Sequence, residues 1–497
     1  MKNYETEATW TYHNGTKHPN GVLLDQFHRY NAANRPIPYK LYKSPSRIRL
    51  SPNKSPGNVS ALDAISAITK QDGDFVPDAD LVSKVLYFSC GITKTIDFGQ
   101  PLGKVEFRAA PCTGALYHIE AYLVCGTIQG LEAGVYHYNP EDNSLSTVRT
   151  GDYRKALAQA TASEPSVSGS PVSLVFTDVF QRNAVKYQAR EYRHAFWDCG
   201  VILANSLALA GTGQVPCKVV LGFSDSEVNQ ILGIDGRKEA AIAILPLGRT
   251  SKVAPPSPPL GKTPEVEPAE FATVPEAILE MHESSSLSAG EVAKWRSDEM
   301  PCKFPPTKNS LGPEASSRES LESTIIRRGS TRKFSHDPIS LAQMSAILGR
   351  STTGFPSDFV VATDMYLIAN SVEGLKSGAY FYDRQAGSLD MLKPGDLRDA
   401  SGHLGLDQML PYDAAATIFF MSDLHGVLER LGNRGYRAAQ IDASITAGKM
   451  YLAAYAVGIG ATGLTFYDDE VVEFFGPHSQ NKSAMFMLAL GKKRKRK

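Results

Sequence analysis

Two stretches of the chain are apolar around nearly the whole helical period. Arg190 to Ala210 and Tyr436 to Val457 read as helices enclosed on all sides, as at an interface between two folded units. Around them lie short apolar or β-branched runs, Val172 to Thr177, Ala241 to Leu247 and Ala416 to Phe420, which predict buried strands. Tyr138 and Tyr382 close hairpin-like segments, with Gly134 and Gly378 expected at the turns. Helices alternating with antiparallel-type strands predict an α+β fold.

The pattern repeats. Tyr122 to Tyr138 recurs as Tyr366 to Tyr382, displaced by 244, with Gly130, Leu131, Gly134, Tyr136 and Tyr138 matched by Gly374, Leu375, Gly378, Tyr380 and Tyr382. The same displacement carries Gly151-Asp152 to Gly395-Asp396 and Tyr192-Arg193 to Tyr436-Arg437. Two copies of one unit are therefore expected, 1–250 and 316–497, each with one enclosed helix. Fusion places both interface faces in one chain, so the two helices should pack on each other as an internal pseudo-dimer, and a monomer is expected. Residues 251–315 hold eleven of the thirty prolines and read as an extended connector, interrupted by a short helix around Glu276 to Glu283.

Composition narrows the class. The chain has 497 residues, 42% hydrophobic and 21% charged, enough to bury a core. Basic and acidic residues number 52 each, but six of the basic ones are the terminal run Lys492 to Lys497, so the rest carries 46 against 52. That balance argues against a nucleic-acid-binding body. No apolar run reaching a membrane span and no signal-like N-terminus were evident, so a cytoplasmic protein without a membrane partner is expected. The six cysteines form no C-x-x-C pair, which argues against a metal site and for buried, inert thiols.

Three segments carry chemistry. Arg328, Ser330 and Arg332 alternate, so an extended backbone turns all three to one side as a grip for phosphate. Pro111, Cys112, Thr113, Gly114 and Ala115 form a small-residue loop that lets backbone amides approach a planar ring. Lys186 and Tyr187 are adjacent, and in a partly dry pocket either could have its pKa lowered and act as a base. Gly458 to Gly463 matches G-x-G-x-x-G but runs from helix to strand, the reverse of the dinucleotide fingerprint.

These residues resemble the FMN-dependent nitroreductase superfamily and, within it, the SagB-type dehydrogenases that oxidise azolines in modified peptides. Phe107 to Glu120 is similar to the family's R-x-x-P-S-A-G-A-L-Y-P-x-E run, Lys186 to His194 to its K-Y-x-x-R-x-Y-R-H entry, and Arg327 to Phe334 to its R-R-x-S-x-R-x-F opening. Thr16-Lys17-His18 resembles a further family segment to which no role attaches. The resemblance implies two tandem nitroreductase-like domains and an FMN held at their interface. Its phosphate would lie on Arg328, Ser330, Arg332 and Lys492 or Arg494. Its ring would lie against Pro111 to Ala115 and the turn Gly460, Ala461, Thr462 and Gly463. Lys186 and Tyr187 would be the catalytic pair.

The copies differ in a complementary way. Opposite Arg327 to Phe334 the first copy reads Ile68 to Phe75, without arginine and with Asp72 and Asp74. Opposite Pro111 to Glu120 the second copy keeps Pro356-Ser357 but not the Gly-Ala-Leu-Tyr run, and Arg430-Leu431 stands opposite Lys186-Tyr187. One complete flavin site is therefore expected, built from both halves. Three functions remain open at this stage. The first is a SagB-type dehydrogenase acting on a peptide or small-molecule heterocycle, with O2 as one candidate co-substrate. The second is a reductase drawing hydride from NAD(P)H for a nitroaromatic or quinone. The third is a flavin-free binding module.

Overall fold

Each half builds one six-stranded antiparallel sheet. The first runs in the order Arg47–Arg49, Ser144–Thr150, Gly134–Asn139, Ile119–Cys125, Val172–Val179, Glu239–Leu247. The second runs Ser388–Pro394, Gly378–Asp383, Thr363–Ala369, Ala416–Ser422, Ser483–Gly491, Gly460–Leu464. The computed structural model describes residues 2–19, 36–43, 46–51, 55–99, 103–267, 273–297 and 310–494. Cys302 and Lys495 to Lys497 lie outside them.

The paired strands confirm the repeat and correct its turns. Gly134 and Gly378 open strands and do not make the turns. The left-handed turn conformation belongs to Gly130 and Gly374, at φ 84° and 82°. Gly378 is glycine for another reason: a Cβ there would lie 2.4 Å from the Lys393 carbonyl oxygen of the neighbouring strand.

The two enclosed helices are Glu191–Thr212 and Arg434–Ala456, buried along nearly their whole length and packed on each other. They cross where equivalent positions meet. A Cβ on Gly200 would fall 1.8 Å from Ser444 Oγ, and one on Gly448 would fall 2.6 Å from Ala204 Cβ. Residues 200 and 444, like 204 and 448, are related by the 244 displacement, so the crossing lies on a pseudo-dyad. The membrane expectation needs one correction. Phe180–Thr212 is long and apolar enough to span a bilayer, but 94% of its apolar window is buried here as the domain interface.

Reciprocal buried ion pairs tie the halves together. Arg190 and Arg193 of the first half reach Asp468 of the second at 3.0 and 2.6 Å. Arg434 and Arg437 of the second reach Asp225 of the first at 2.6 and 2.9 Å. Their remaining donors identify a further repeated element. Arg193 donates to the His13 carbonyl and Thr16 Oγ1, and Arg437 to the His282 carbonyl and Ser285 Oγ. The helix Glu276–Ser284 is thus the counterpart of Glu7–Gly15.

This moves the start of the second repeat into the stretch expected to be connector. The proline-rich part does run extended along the first half, where Tyr153 donates to the Pro259 carbonyl at 3.1 Å. It ends at the helix Glu276–Ser284, and a second helix, Ala289–Ser297, follows that the sequence pattern did not suggest. Thr16, without a role in the sequence, is the clamp on Arg193.

Replacing either aspartate leaves two buried guanidinium groups without their counter-ion. Asp225→Asn and Asp468→Asn should each cost about 3–5 kcal/mol, by similar amounts because the sites are pseudo-equivalent, in denaturant unfolding. Burial opposes ionising Asp225, but Arg434 and Arg437 outweigh it and hold its pKa at about 2. Its contribution is complete above the ordinary carboxylate range and is lost as pH falls toward that value.

Candidate functional site

The site forms where a loop and a short helix of the first half face a strand of the second. The helix Phe180–Tyr187 ends on Lys186 and Tyr187, and Gln188 turns the chain at φ 49°. Both side chains are half-buried, with Lys186 Nζ 5.1 Å from the centre of the Tyr187 ring. They pack on the small-residue loop. A Cβ at Gly114 would meet the Tyr187 hydroxyl at 2.9 Å and Lys186 Nζ at 3.4 Å, so this position has room only for glycine. Gly114 also sits at φ 62°.

The loop is held from behind by Asp198, on the first central helix. Its carboxylate accepts from Cys112 Sγ at 3.0 Å, from the Thr113 amide at 2.8 Å and from Thr113 Oγ1 at 2.9 Å. Asn183 Nδ2 reaches the Thr113 carbonyl at 3.4 Å, and its amide oxygen faces His194 Nδ1 at 3.2 Å. The His194 ring in turn stands edge-on to Tyr187, 4.5 Å between centres. The loop and the Lys186–Tyr187 pair are therefore one packed unit.

The second half supplies the basic strand. Residues 330 and 461 form a parallel bridge, and Phe334 pairs with Lys493, so the 328–334 stretch is extended beside the Gly460–Leu464 strand and the chain end. Ser330 is half-buried, while Arg332, Lys492 and Arg494 are exposed. None of these three cations has an ion-pair partner among the described residues. Unneutralised cations on adjoining backbone suit a phosphate. Arg332 is close enough to influence Tyr187 across the halves.

Three expectations change. Arg328 is buried, with Nε donating to the Ala109 carbonyl at 3.1 Å and Nη2 to the Arg108 carbonyl at 3.2 Å. It ties the second half to the strand leading into Pro111, which removes it from the exposed grip. Gly460, Ala461, Thr462 and Gly463 form an edge strand and not a turn. Gly460 is glycine because Thr331 Oγ1 would lie 2.2 Å from its Cβ. Tyr187 is not activated by a lowered pKa. Burial first, then the Asp198 and Cys112 charges, push it upward, so it remains a phenol.

The pseudo-equivalent place is closed. Phe75 pairs with Arg249 as Phe334 pairs with Lys493, which fixes the correspondence. There Pro356 and Ser357 sit directly on the other copy: the Val219 amide donates to the Pro356 carbonyl at 2.9 Å, and Asp358 accepts from the Leu221 and Gly222 amides at 2.8 Å each. The residue equivalent to Val219 is Gly463, and no such bridge joins it to Cys112 among the described residues. Lys449 fills what remains, donating to the Gly354 carbonyl at 2.6 Å. A cavity of about 10 Å³ remains among Thr69, Cys217, Phe355, Pro356 and Lys449, the same size as one beside Pro111, Cys112 and Asp198, so the closure rests on these backbone contacts and not on volume. Arg430, opposite Lys186, is spent on the Val360 carbonyl.

Asp198 and His118 were not singled out from the sequence. The available signal was that His118 stands where the resembling motif has proline and Cys112 where it has serine.

Known proteins share sequence and fold with this chain. A sequence-family model described as "Nitroreductase family" matches residues 75–249 and 325–492. "Putative nitroreductase MJ1384" of Methanocaldococcus jannaschii is 28% identical over 168 residues, 34% of this chain and 79% of that protein. "Trifolitoxin-processing protein TfxB" of Rhizobium leguminosarum bv. trifolii is 30% identical over 169 residues, 33% of this chain and 45% of its own length. "Microcin B17-processing protein McbC" of Escherichia coli is 29% identical over 142 residues, 28% of this chain and 52% of its own. The chain thus spans about half the length of these last two. The crystal structure of a "putative nitroreductase" from Anabaena variabilis matches 98% of this chain and 99% of its own, with TM-score 0.77 and 26% identity.

Removing the Arg332 guanidinium should weaken FMN binding by about 1.5–3 kcal/mol, roughly 10- to 100-fold in a fluorescence titration. Lys70→Ala, in the first-copy stretch that corresponds to this strand, should leave the affinity unchanged.

Proposed function

Because the chain belongs to the Nitroreductase family, we propose that it is an FMN-dependent dehydrogenase that oxidises an azoline-type heterocycle in a peptide or small molecule. The observation that carries this reading is the packing of Lys186 and Tyr187 against Gly114, within electrostatic reach of the unneutralised Arg332 of the other half. The peptide-processing descriptions of TfxB and McbC support the substrate class.

Ser330, Arg332, Lys492 and Arg494 would hold the phosphate of FMN, and Pro111 to Ala115 with Thr462 and Gly463 would flank its ring. When bound, FMN supplies the hydride acceptor. The chain's own residues supply the rest. The Lys186 amine takes the proton from the substrate carbon. Tyr187, kept a phenol by burial, donates a hydrogen bond that orients the heterocycle and strengthens as charge develops. Its edge contact with His194 holds the ring in place.

A reductase fed by NAD(P)H would have no use for a carbon base at Gly114, which favours the dehydrogenase. The closed second place favours one FMN per chain, and the internal pairing of the central helices favours a monomer.

Lys186→Ala should lower the rate of flavin bleaching by a thiazoline-containing peptide, mixed anaerobically, by roughly 10²- to 10⁴-fold. Tyr187→Phe should also slow it. Both variants should purify with their yellow cofactor. Unchanged bleaching in both would remove the proposed mechanism.

A further inference from the structure

The loop that presents Gly114 is under backbone strain. Gly114, Ala115 and Tyr117 have φ of 62°, 53° and 51°, a left-handed conformation that alanine and tyrosine rarely adopt. Such a shape persists only where its surroundings over-determine it. The restraint here converges on Asp198, which accepts from Cys112 and twice from Thr113, and whose Oδ2 also takes His118 Nε2 at 2.8 Å. Cys112 Sγ accepts from the Tyr117 amide at 3.1 Å, closing the loop on itself.

His118 is enclosed without solvent exposure, and its other nitrogen, Nδ1, lies 2.7 Å from Asp178 Oδ1. A carboxylate oxygen on each nitrogen favours an N–H at both positions, and so a charged ring. Burial works against that charge, but Asp178 and the bonds to both aspartates outweigh it and raise the pKa well above the usual histidine value. Asp178 comes from the strand Val172–Val179, while Glu191, His194 and Asp198 face the ring from the central helix, Tyr187 from the preceding helix and Cys112 from the loop. Glu191, whose Oε1 lies 3.3 Å from His118 Nδ1, is pushed well up by burial and by the Asp178 charge.

We propose that Asp198 and His118 are positioning residues: a carboxylate–imidazole lock that holds the strained loop in shape and so sets Gly114 against Lys186 and Tyr187. The role in turnover rests on the site reading above; the lock itself does not. Three departures from the resembling motif, Cys112, Thr113 and His118, meet on one carboxylate.

The lock predicts opposite signs at one thiol. Cys112 is half-buried, and its pKa is raised by burial and then by the Asp198 charge, with His118 working the other way. In the purified full chain, iodoacetamide labelling of Cys112, followed across pH by peptide mass spectrometry, should shift its midpoint down by about 1 unit in Asp198→Asn. In His118→Gln the midpoint should move up. A merely structural role would open the loop in both variants and shift labelling the same way, and that result would overturn the proposal.

Nuclear magnetic resonance of labelled imidazole in the unmodified protein gives a readout that needs no variant. His118 should stay doubly protonated well above the ordinary histidine range, and titration near the ordinary histidine value would overturn the lock. Stoichiometric metal lost in Cys112→Ser would also overturn it, in favour of a metal site. Neither measurement uses flavin turnover, so failure of the dehydrogenase reading would leave them interpretable.

Discussion

Four buried arginines and two buried aspartates, exchanged reciprocally between the halves, are the constraint on which the rest of the molecule depends. Arg190 and Arg193 need Asp468 from the second half, and Arg434 and Arg437 need Asp225 from the first. The helix pair is interlocked at Gly200 and Gly448, and the buried charges add a second restraint. A displacement that breaks one ion pair strands a desolvated ion. The ion pairs therefore set the register of the central helices, and with it the position of Lys186-Tyr187 relative to the strand that carries Arg332.

On this symmetric frame the chemistry is asymmetric. One inter-half place keeps exposed cations on one side and a strained glycine loop on the other. Its counterpart has no arginine in the stretch 68–75 and is sealed by Ser357, Asp358 and Lys449. The burial of Lys449 lowers its pKa to about 7, a sign of how dry that place has become. A fused chain needs only one phosphate strand and one ring loop, so each half can lose what the other retains. In the half that keeps the loop, Asp198 holds it.

Much of this was legible in the sequence, for physical reasons that also explain what was not. The repeat, the central helices and the complementary losses are local patterns, readable because a helix enclosed on all sides has no polar face and a phosphate strand needs spaced arginines. What failed to show were pairings between distant residues. Nothing near Arg328 says that its guanidinium will be spent on the Arg108 and Ala109 carbonyls. Nothing near Glu276 says that its helix repeats Glu7–Gly15, because the evidence lies in how Ser285 and Thr16 each meet an arginine of a central helix. Tyr187 was read as an activated base from its neighbour Lys186, whereas its surroundings include the buried Asp198, eleven residues away.

The central claim is that two incomplete halves make one flavin site. The most direct test is the molar ratio of flavin, released by denaturation, to chain in protein purified with saturating FMN and then desalted. The account predicts one FMN per chain, falling sharply in Arg332→Ala under the same desalting. A ratio of two would contradict it, because the place sealed by Ser357 and Lys449 would then have to hold a second flavin.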